Sequence, residues 1–333
     1  MITIKEVAEL AQVSQATVSR TLNGHKSVKE ANKERVFSAI EKLGYKPNTF
    51  AQALASNKSY SIGMLVGSLD GPFYGPLMHN VEKVFRQENY HLIITSGQEL
   101  YEEEQDSIRF LHSKKVDGLV LTADTLSDSD IIDIVKQTPS TMLMNRYIPE
   151  ISNHCISIDN ELGGYIATEH LIINGHTKIA CVTGQLSKID SRDRLQGYRN
   201  ALSDHHIEYD PNMVIEGRFD HKGNNEAIKR LLDRDLEITG IFCMNDNIAM
   251  TVYGECNERG LKIGEDISVI GYDNDTYSQY MNPGLTTMNF PIKQMANIAA
   301  NKVLDMLQGN KAIDEHLILS PTLIERHSVK NIR

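Results

Sequence analysis

The sequence predicts an α/β protein: a small three-helix head, then a two-lobed body of doubly wound parallel sheets. Three observations carry that reading. Through the first 43 positions apolar residues recur at three- and four-residue spacing, the period of short amphipathic helices. From Ser61 onward short apolar runs alternate with amphipathic segments, as repeated βαβ units require. After Asn160 the alternation starts again, and two similar halves of about 120 residues, each of ordinary domain size, imply two lobes with a cleft between them.

Ile4, Val7, Ala8, Leu10 and Ala11 form the apolar face of a first helix that stops at Gln12-Val13. Ser14 is placed to cap a second helix, in which Ala16, Val18 and Leu22 pack inward while Gln15, Thr17, Ser19 and Arg20 point out. Two short helices, a tight joint and a polar, singly basic outer face make a helix-turn-helix shaped for a DNA major groove. A third helix over 28–43 sets Val28, Val36, Ile40 and Leu43 on one side, closes the head and ends at Gly44. Pro47 breaks the chain, and Asn48 is placed to cap TFAQALAS, which is too short to be a stable helix alone because nucleation costs more than two turns return.

In the body, SIGMLVG, HLIITSG, DGLVLTA, TMLMN and CISIDN read as the strands of one half. KIACVTG, MVIEG, GIFCMN and ISVIGYDN read as those of the other. LTTMNFPIKQMANIAANKVLDMLQG supplies a further strand and a long helix, and HLILSPTLIERHSV a terminal strand.

Composition narrows the class. At 333 residues and 41% apolar the chain can bury a small head and one or two α/β cores. It has no apolar run of about eighteen residues, and its charged start (Lys5, Glu6, Glu9) is unlike a signal peptide, so a cytoplasmic protein without membrane contact is expected. The four cysteines, Cys155, Cys181, Cys243 and Cys256, are far apart, lack CxxC pairing and are expected as reduced core thiols. Net charge is -10, unevenly spread: residues 1–58 hold nine Lys or Arg against five Glu, the remainder 25 basic against 39 acidic. A basic head on an acidic body suits a protein that presents one end to phosphates.

Ligands of open α/β sheets bind beyond the carboxyl ends of the strands, so the residues after each apolar run are the candidates. After the first run stand Ser68, Asp70, Phe73 and Tyr74, and after the fourth Asn145 and Arg146. The second half adds Arg192 and Arg194 from SRDRLQGY, Phe219, Asn245 and Asp273, while Asp246, followed at once by a helix, is placed as a cap. Carboxylates, amides and guanidinium groups interleaved with aromatics suit a polyhydroxylated ligand: hydroxyls pair with the polar groups and a C–H face packs on Phe or Tyr. No Walker A loop, GxSxG elbow, HExxH or paired Cys/His metal spacing is present, so neither an enzyme nor a cofactor is expected. A periplasmic sugar-binding protein would share the lobes but needs an export signal and has no use for a basic head.

The N-terminal TIKEVAELAQVSQATVSRTLN and GYKPNTFAQAL resemble the lactose/galactose repressor (LacI/GalR) family, and the resemblance runs end to end. It implies a DNA-binding domain over 1–46, a hinge helix over 47–58 and an effector-binding, dimerising body over 59–333 with a periplasmic-binding-protein-like fold. It also implies three crossings between lobes, near 160, 290 and 321, so that 59–160 with 291–320 make one lobe and 161–290 with 321–333 the other. In such repressors hinge helices pair in the minor groove and a leucine wedges open the central base step, which places Leu54 as the wedge and Ala51 at the close approach. Gln52 stands where many relatives carry Arg. Gln15, Ala16 and Arg20 fall where the family reads bases; Ser14, Thr17, Ser19 and Asn23 suit phosphates, and Thr3, Tyr45 and Asn48 complete the DNA-facing set. Asn145, Arg194, Phe219, Asn245 and Asp273 fall on positions that touch effector sugars.

The implied partners are a palindromic double-stranded operator, a second copy of the chain and a small sugar. A dimer is expected because the chain stops at Arg333 without a leucine heptad tail. NRYIPEISNHCISIDN and SPTLIERHSV look most like galactose repressors, so D-galactose or a galactoside acting as inducer is the first expectation. Another hexose, a disaccharide and a purine, the last with the opposite sign, stay open.

Overall fold

The computed structural model describes residues 2–22, 27–45, 58–219, 224–234, 236–310 and 316–333. It divides into two units, 1–60 and 61–333.

In the first unit, α1 (Ile4–Ala11) begins at a capping box in which Thr3 and Glu6 satisfy each other's backbone N–H groups, and ends at Gln12 in the left-handed region. Ser14 caps α2 (Gln15–Leu22), accepting from the Thr17 N–H at 3.2 Å. α3 (Glu30–Leu43) stops at Gly44, whose φ of +62° is the left-handed conformation a glycine adopts without strain. Val7, Ala8, Ala11, Val18, Val36 and Ala39 make the buried core, edged by Ile4, Leu22, Ile40, Leu43 and Tyr45. Two sequence expectations are corrected here. Leu10 is 49% exposed, because the buried stripe of α1 runs 4, 7, 8, 11 and position 10 lies off it. Ala16 is exposed and Thr21 takes the inward place, one turn beyond Val18, its hydroxyl donating back to the Thr17 carbonyl at 2.8 Å.

In the second unit one six-stranded sheet contains β1 (Ser61–Val66), β2 (His91–Ser96), β3 (Gly118–Leu121), β4 (Thr141–Met144) and β5 (Cys155–Ile158), all parallel, with α4 (Gly71–Gln87), α5 (Tyr101–Ser113) and α6 (Asp128–Gln137) between them. The other contains β6 (Ile179–Thr183), β7 (Val214–Glu216), β8 (Gly240–Cys243), β9 (Ser268–Asp273) and β10 (Thr286–Asn289). Its helices are α7 (Asn160–Ile173), α8 (Ile189–Asp204), α9 (Asn224–Leu232) and α10 (Asp246–Glu258), and α11 (Ile292–Leu307) returns to pack on α4, β3 and β4 of the first sheet. The segment HLILSPTLIERHSV, expected as one strand, is two. β11 (Leu317–Leu319) pairs parallel with β5, and β12 (Thr322–Ile324) pairs antiparallel with β10 in the other sheet. Ser320-Pro321 separates them, since proline has no N–H to give a ladder. The chain thus passes between lobes after β5, after β10 and between β11 and β12.

Strands buried on both faces account for the continuous apolar runs: β3, β4, β6, β8 and β9 are buried at every position. All four cysteines are buried and unpaired. Among the described residues no helix is long and apolar enough to cross a membrane.

One helix crossing positions the site. A Cβ on Gly197 would lie 2.0 Å from the Glu161 carbonyl oxygen, and one on Gly164 2.2 Å from the Arg194 carbonyl oxygen, so α7 and α8 touch backbone to backbone and Arg194 is held at a fixed height. Gly197→Ala should destabilise the body by about 1–3 kcal/mol, the clash outweighing alanine's better helix propensity. Urea unfolding measures this; unchanged stability would contradict the close crossing.

Candidate functional site

The strand ends of the two lobes face each other across a cleft of about 880 Å³, ample for a mono- or disaccharide. It is lined by Ser68, Asp70, Phe73, Tyr74 and Asn145 from the first lobe, and by Arg194, Phe219, Asn245 and Asp273 from the second. Nine of the eleven strand-end candidates named from sequence therefore meet in one place.

Arg194, only 3% exposed, is the centre of the second-lobe wall. Its Nε donates to the Asn160 Oδ1 at 2.9 Å and its Nη1 to the Met244 carbonyl, while the guanidinium lies 3.7 Å from the centroid of the Tyr272 ring. Asp273 Oδ1 stands 4.0 Å from Nη1, beyond hydrogen-bond reach, so its lone pairs are free to meet a ligand hydroxyl. Burial pushes the Asp273 carboxyl above the usual carboxylate range; Arg194 opposes this and Asp275 and Asp246 add to it. Asp273 also carries a φ of +108°, a strained conformation for a residue with a Cβ, of the kind stored at binding sites.

Aromatic rings supply the apolar part. The Phe219 ring centroid lies 5.4 Å from Arg194 and 5.6 Å from Lys188 Nζ, and Phe73 packs edge-on against Tyr74 at 5.2 Å and Phe290 at 5.1 Å. In the first lobe Asn145 has φ +60° and a buried Oδ1 with no hydrogen-bond partner, an acceptor that a polyol would satisfy. Ser68 donates to the Asp70 carboxylate, which sits exposed at the start of α4.

Three expectations change. Arg146 does not line the cleft: its Nη1 donates to the Leu126 carbonyl at 2.8 Å and its Nη2 pairs with Asp128 at 2.6 Å, tying down the loop after β3. The helix cap is Asn245, whose Oδ1 accepts from the Ile248 N–H at 2.9 Å and whose Nδ2 donates to the Phe219 carbonyl at 3.0 Å. Asp246 is buried, accepting from the Thr287 hydroxyl at 2.6 Å, the Asp275 N–H at 2.8 Å and the Ser278 hydroxyl. Arg192 donates to the carbonyls of Leu186 and Ser187 at 2.9 and 2.7 Å and shapes the turn before α8.

The sequence reading missed Glu99, Asp124, Lys188, Asp190, Asn247, Asp275 and Phe290, all of which line the cleft. Glu99 and Asp124 follow the second and third strands, where the same strand-end rule would have found them.

In the head, Ser14 at the cap and Gln15, Ala16 and Arg20 on α2 are exposed, with Thr17 and Ser19 half-buried beside them. Thr3 is exposed with its hydroxyl held by Glu6 at 2.8 Å, and Tyr45 packs on the head core. Asn23, Asn48, Ala51 and Leu54 lie outside the described residues.

A profile of bacterial regulatory proteins, lacI family, matches residues 3–48, and one of a periplasmic binding protein-like domain matches 168–329. The chain is 38% identical to the HTH-type transcriptional regulator GalR of Escherichia coli K12, over 99% of this chain and 96% of that one. It is 35% identical to the HTH-type transcriptional repressor PurR of Aliivibrio salmonicida over the full length of both. Among solved structures, a lac repressor dimer bound to operator and the anti-inducer ONPF superposes with a TM-score of 0.88 at 27% identity, covering 98% of each chain.

Burial raises Asp246 from 3.8 to about 6, against the three hydrogen bonds and Arg326, which favour the carboxylate. A folded pKa above the unfolded one contributes stability that is fully present below the unfolded value and lost as pH rises through the folded value. The wild type should therefore lose about 2 kcal/mol relative to Asp246→Asn between pH 4 and 6.5, the slope approaching roughly 1.4 kcal/mol per unit midway. Urea unfolding of both proteins across that range checks it; a pH-independent difference would contradict it.

Proposed function

The chain belongs to the LacI family of bacterial regulatory proteins, and from that membership we propose that it is a sequence-specific transcriptional repressor whose hold on its operator is set by a small sugar bound between the lobes. Its relatives are transcriptional regulators, and we read this chain in the same way. The observation that carries the sugar half is the Arg194–Asp273 pair, buried and 4.0 Å apart beside Phe219. A guanidinium donates, a carboxylate accepts, and a ring covers the C–H face, which is the division of labour a pyranose requires. D-galactose or a galactoside is the effector we favour, from the galactose-repressor-like NRYIPEISNHCISIDN and SPTLIERHSV stretches and the 38% identity to GalR.

On DNA, Gln15 bonds adenine through two contacts, Ala16 meets a thymine methyl and Arg20 reads guanine O6 and N7, while Ser14, Thr17 and Ser19 hold phosphates. The dimer of the lac repressor relative on its operator supports a second copy of this chain and a palindromic site. Hinge segments over 47–58, with Leu54 as wedge, would then kink its centre. A sugar that favours one lobe orientation disfavours the DNA-competent one, and it acts only through its differential affinity for the two states.

Asp273→Ala should keep operator affinity and become unresponsive to D-galactose in a fixed-salt operator titration; lost operator affinity with a normal sugar response would overturn the assignment. Gln15→Val should change base preference at one symmetric pair of operator positions by about 1–3 kcal/mol. A uniform loss on all sequences would instead make Gln15 a phosphate contact.

A further inference from the structure

Lys188 has no part in the reading above, yet it joins the two lobes. It stands just before α8 in the second lobe, and its Nζ donates to Glu99 Oε1 at 2.6 Å and to Asp124 Oδ2 at 3.1 Å, both in first-lobe loops. Among the described residues, the ion pairs that link the lobes are both made by Lys188. All three side chains line the cleft, and that of Lys188 is only 13% exposed.

Both sides of the contact are held in place. Arg192 grips the Leu186 and Ser187 carbonyls, and the Leu186 N–H donates to Glu216 Oε1 at 3.0 Å, which fixes the turn carrying Lys188. Across the cleft, the fully buried Glu104 accepts from the N–H groups of Asp124, Thr125 and Leu126 at 2.9–3.3 Å and so fixes the Asp124 loop. Gln98 and Glu99 sit at φ +50° and +57°, two consecutive left-handed residues that turn the Glu99 side chain toward the cleft. Burial disfavours the Lys188 charge, but Asp124 and Glu99 outweigh it and keep the ammonium protonated.

We propose that Lys188, with Glu99 and Asp124, is an interlobe clamp that holds the cleft closed without ligand and so positions its walls for the effector. A site that binds only when closed has an apparent affinity scaled by the fraction of molecules already closed, so the clamp raises effector affinity without needing to touch the effector. That last consequence rests on the sugar reading; the clamp itself does not.

The test uses the full chain with spin labels at Ser113→Cys and Ser203→Cys, exposed positions on opposite lobes. Without ligand, the otherwise wild-type protein should give one short interlobe distance in double electron–electron resonance. Lys188→Met should add a longer-distance population, and the exchanged pair Lys188→Glu with Glu99→Lys should restore the short one. High salt should lengthen the wild-type distance and leave Lys188→Met unchanged, which loss of fold would not mimic. In D-galactose titrations Lys188→Met should bind about tenfold more weakly, the factor expected if a tenth of the molecules stay closed. Identical distance distributions for wild type and Lys188→Met at low salt would overturn the clamp. A lengthened distance with no D-galactose binding to either protein would uphold the clamp and reject only the choice of effector.

Discussion

The structure depends on one costly arrangement, the pairing of Arg194 with Asp273 at the bottom of the cleft. Both side chains are under a tenth exposed, so each has lost most of its hydration. Such a loss is offset only by hydrogen bonds and an opposite charge close by. Arg194 finds its partners at Asn160, which opens α7, at the Met244 carbonyl beyond β8, and on the face of Tyr272 in β9. One guanidinium therefore registers three strand ends and helix starts of the second lobe, and the backbone contact at Gly197 and Gly164 sets its height. Asp273 is left without a hydrogen bond from Arg194, which is why this wall is chemically prepared for hydroxyl groups.

The three passages of chain between the sheets explain how a ligand on that wall reaches the rest of the body. The first-lobe wall hangs on loops after β1 to β4, and the lobes are connected by short strands of backbone after β5, after β10 and at Ser320-Pro321. On the proposed reading, those short connections are the hinge about which an effector in the cleft changes lobe orientation. Lys188 adds an electrostatic spring to that hinge. The acidic lining of Glu99, Asp124, Asp190 and Asp275 makes the cleft a poor host for anions, and among the described residues Lys188, Arg194 and Arg218 offset it.

Much of this was legible in the sequence, because it follows from periodicity. Apolar runs buried on both faces marked the strands, and the strand-end rule found Asp70, Phe73, Tyr74, Asn145, Arg194, Phe219, Asn245 and Asp273. What escaped was set by contacts distant in sequence. Arg146 lies after a strand like the others, but the Leu126 carbonyl and Asp128 capture it. Asn245 and Asp246 are both cap-forming residues, and the choice between them was made by Thr287, Ser278 and the Asp275 N–H, which draw Asp246 inward. Lys188 reads as an ordinary helix-start lysine until Glu99 and Asp124, 89 and 64 residues away, are brought across the cleft. In the head, Leu10 and Ala16 were misplaced onto the buried side, since two-turn helices give periodicity little to average over.

Linkage offers the most direct measurement. Calorimetric titration of the full-length protein with D-galactose, free and saturated with operator DNA at one salt concentration, gives one coupling factor; operator titration with and without saturating D-galactose gives the other. A single shared equilibrium requires the two factors to be equal and both to weaken binding. Equal affinities for D-galactose in the free and operator-bound protein would show that the cleft and the DNA head do not communicate, and would contradict the account at its centre.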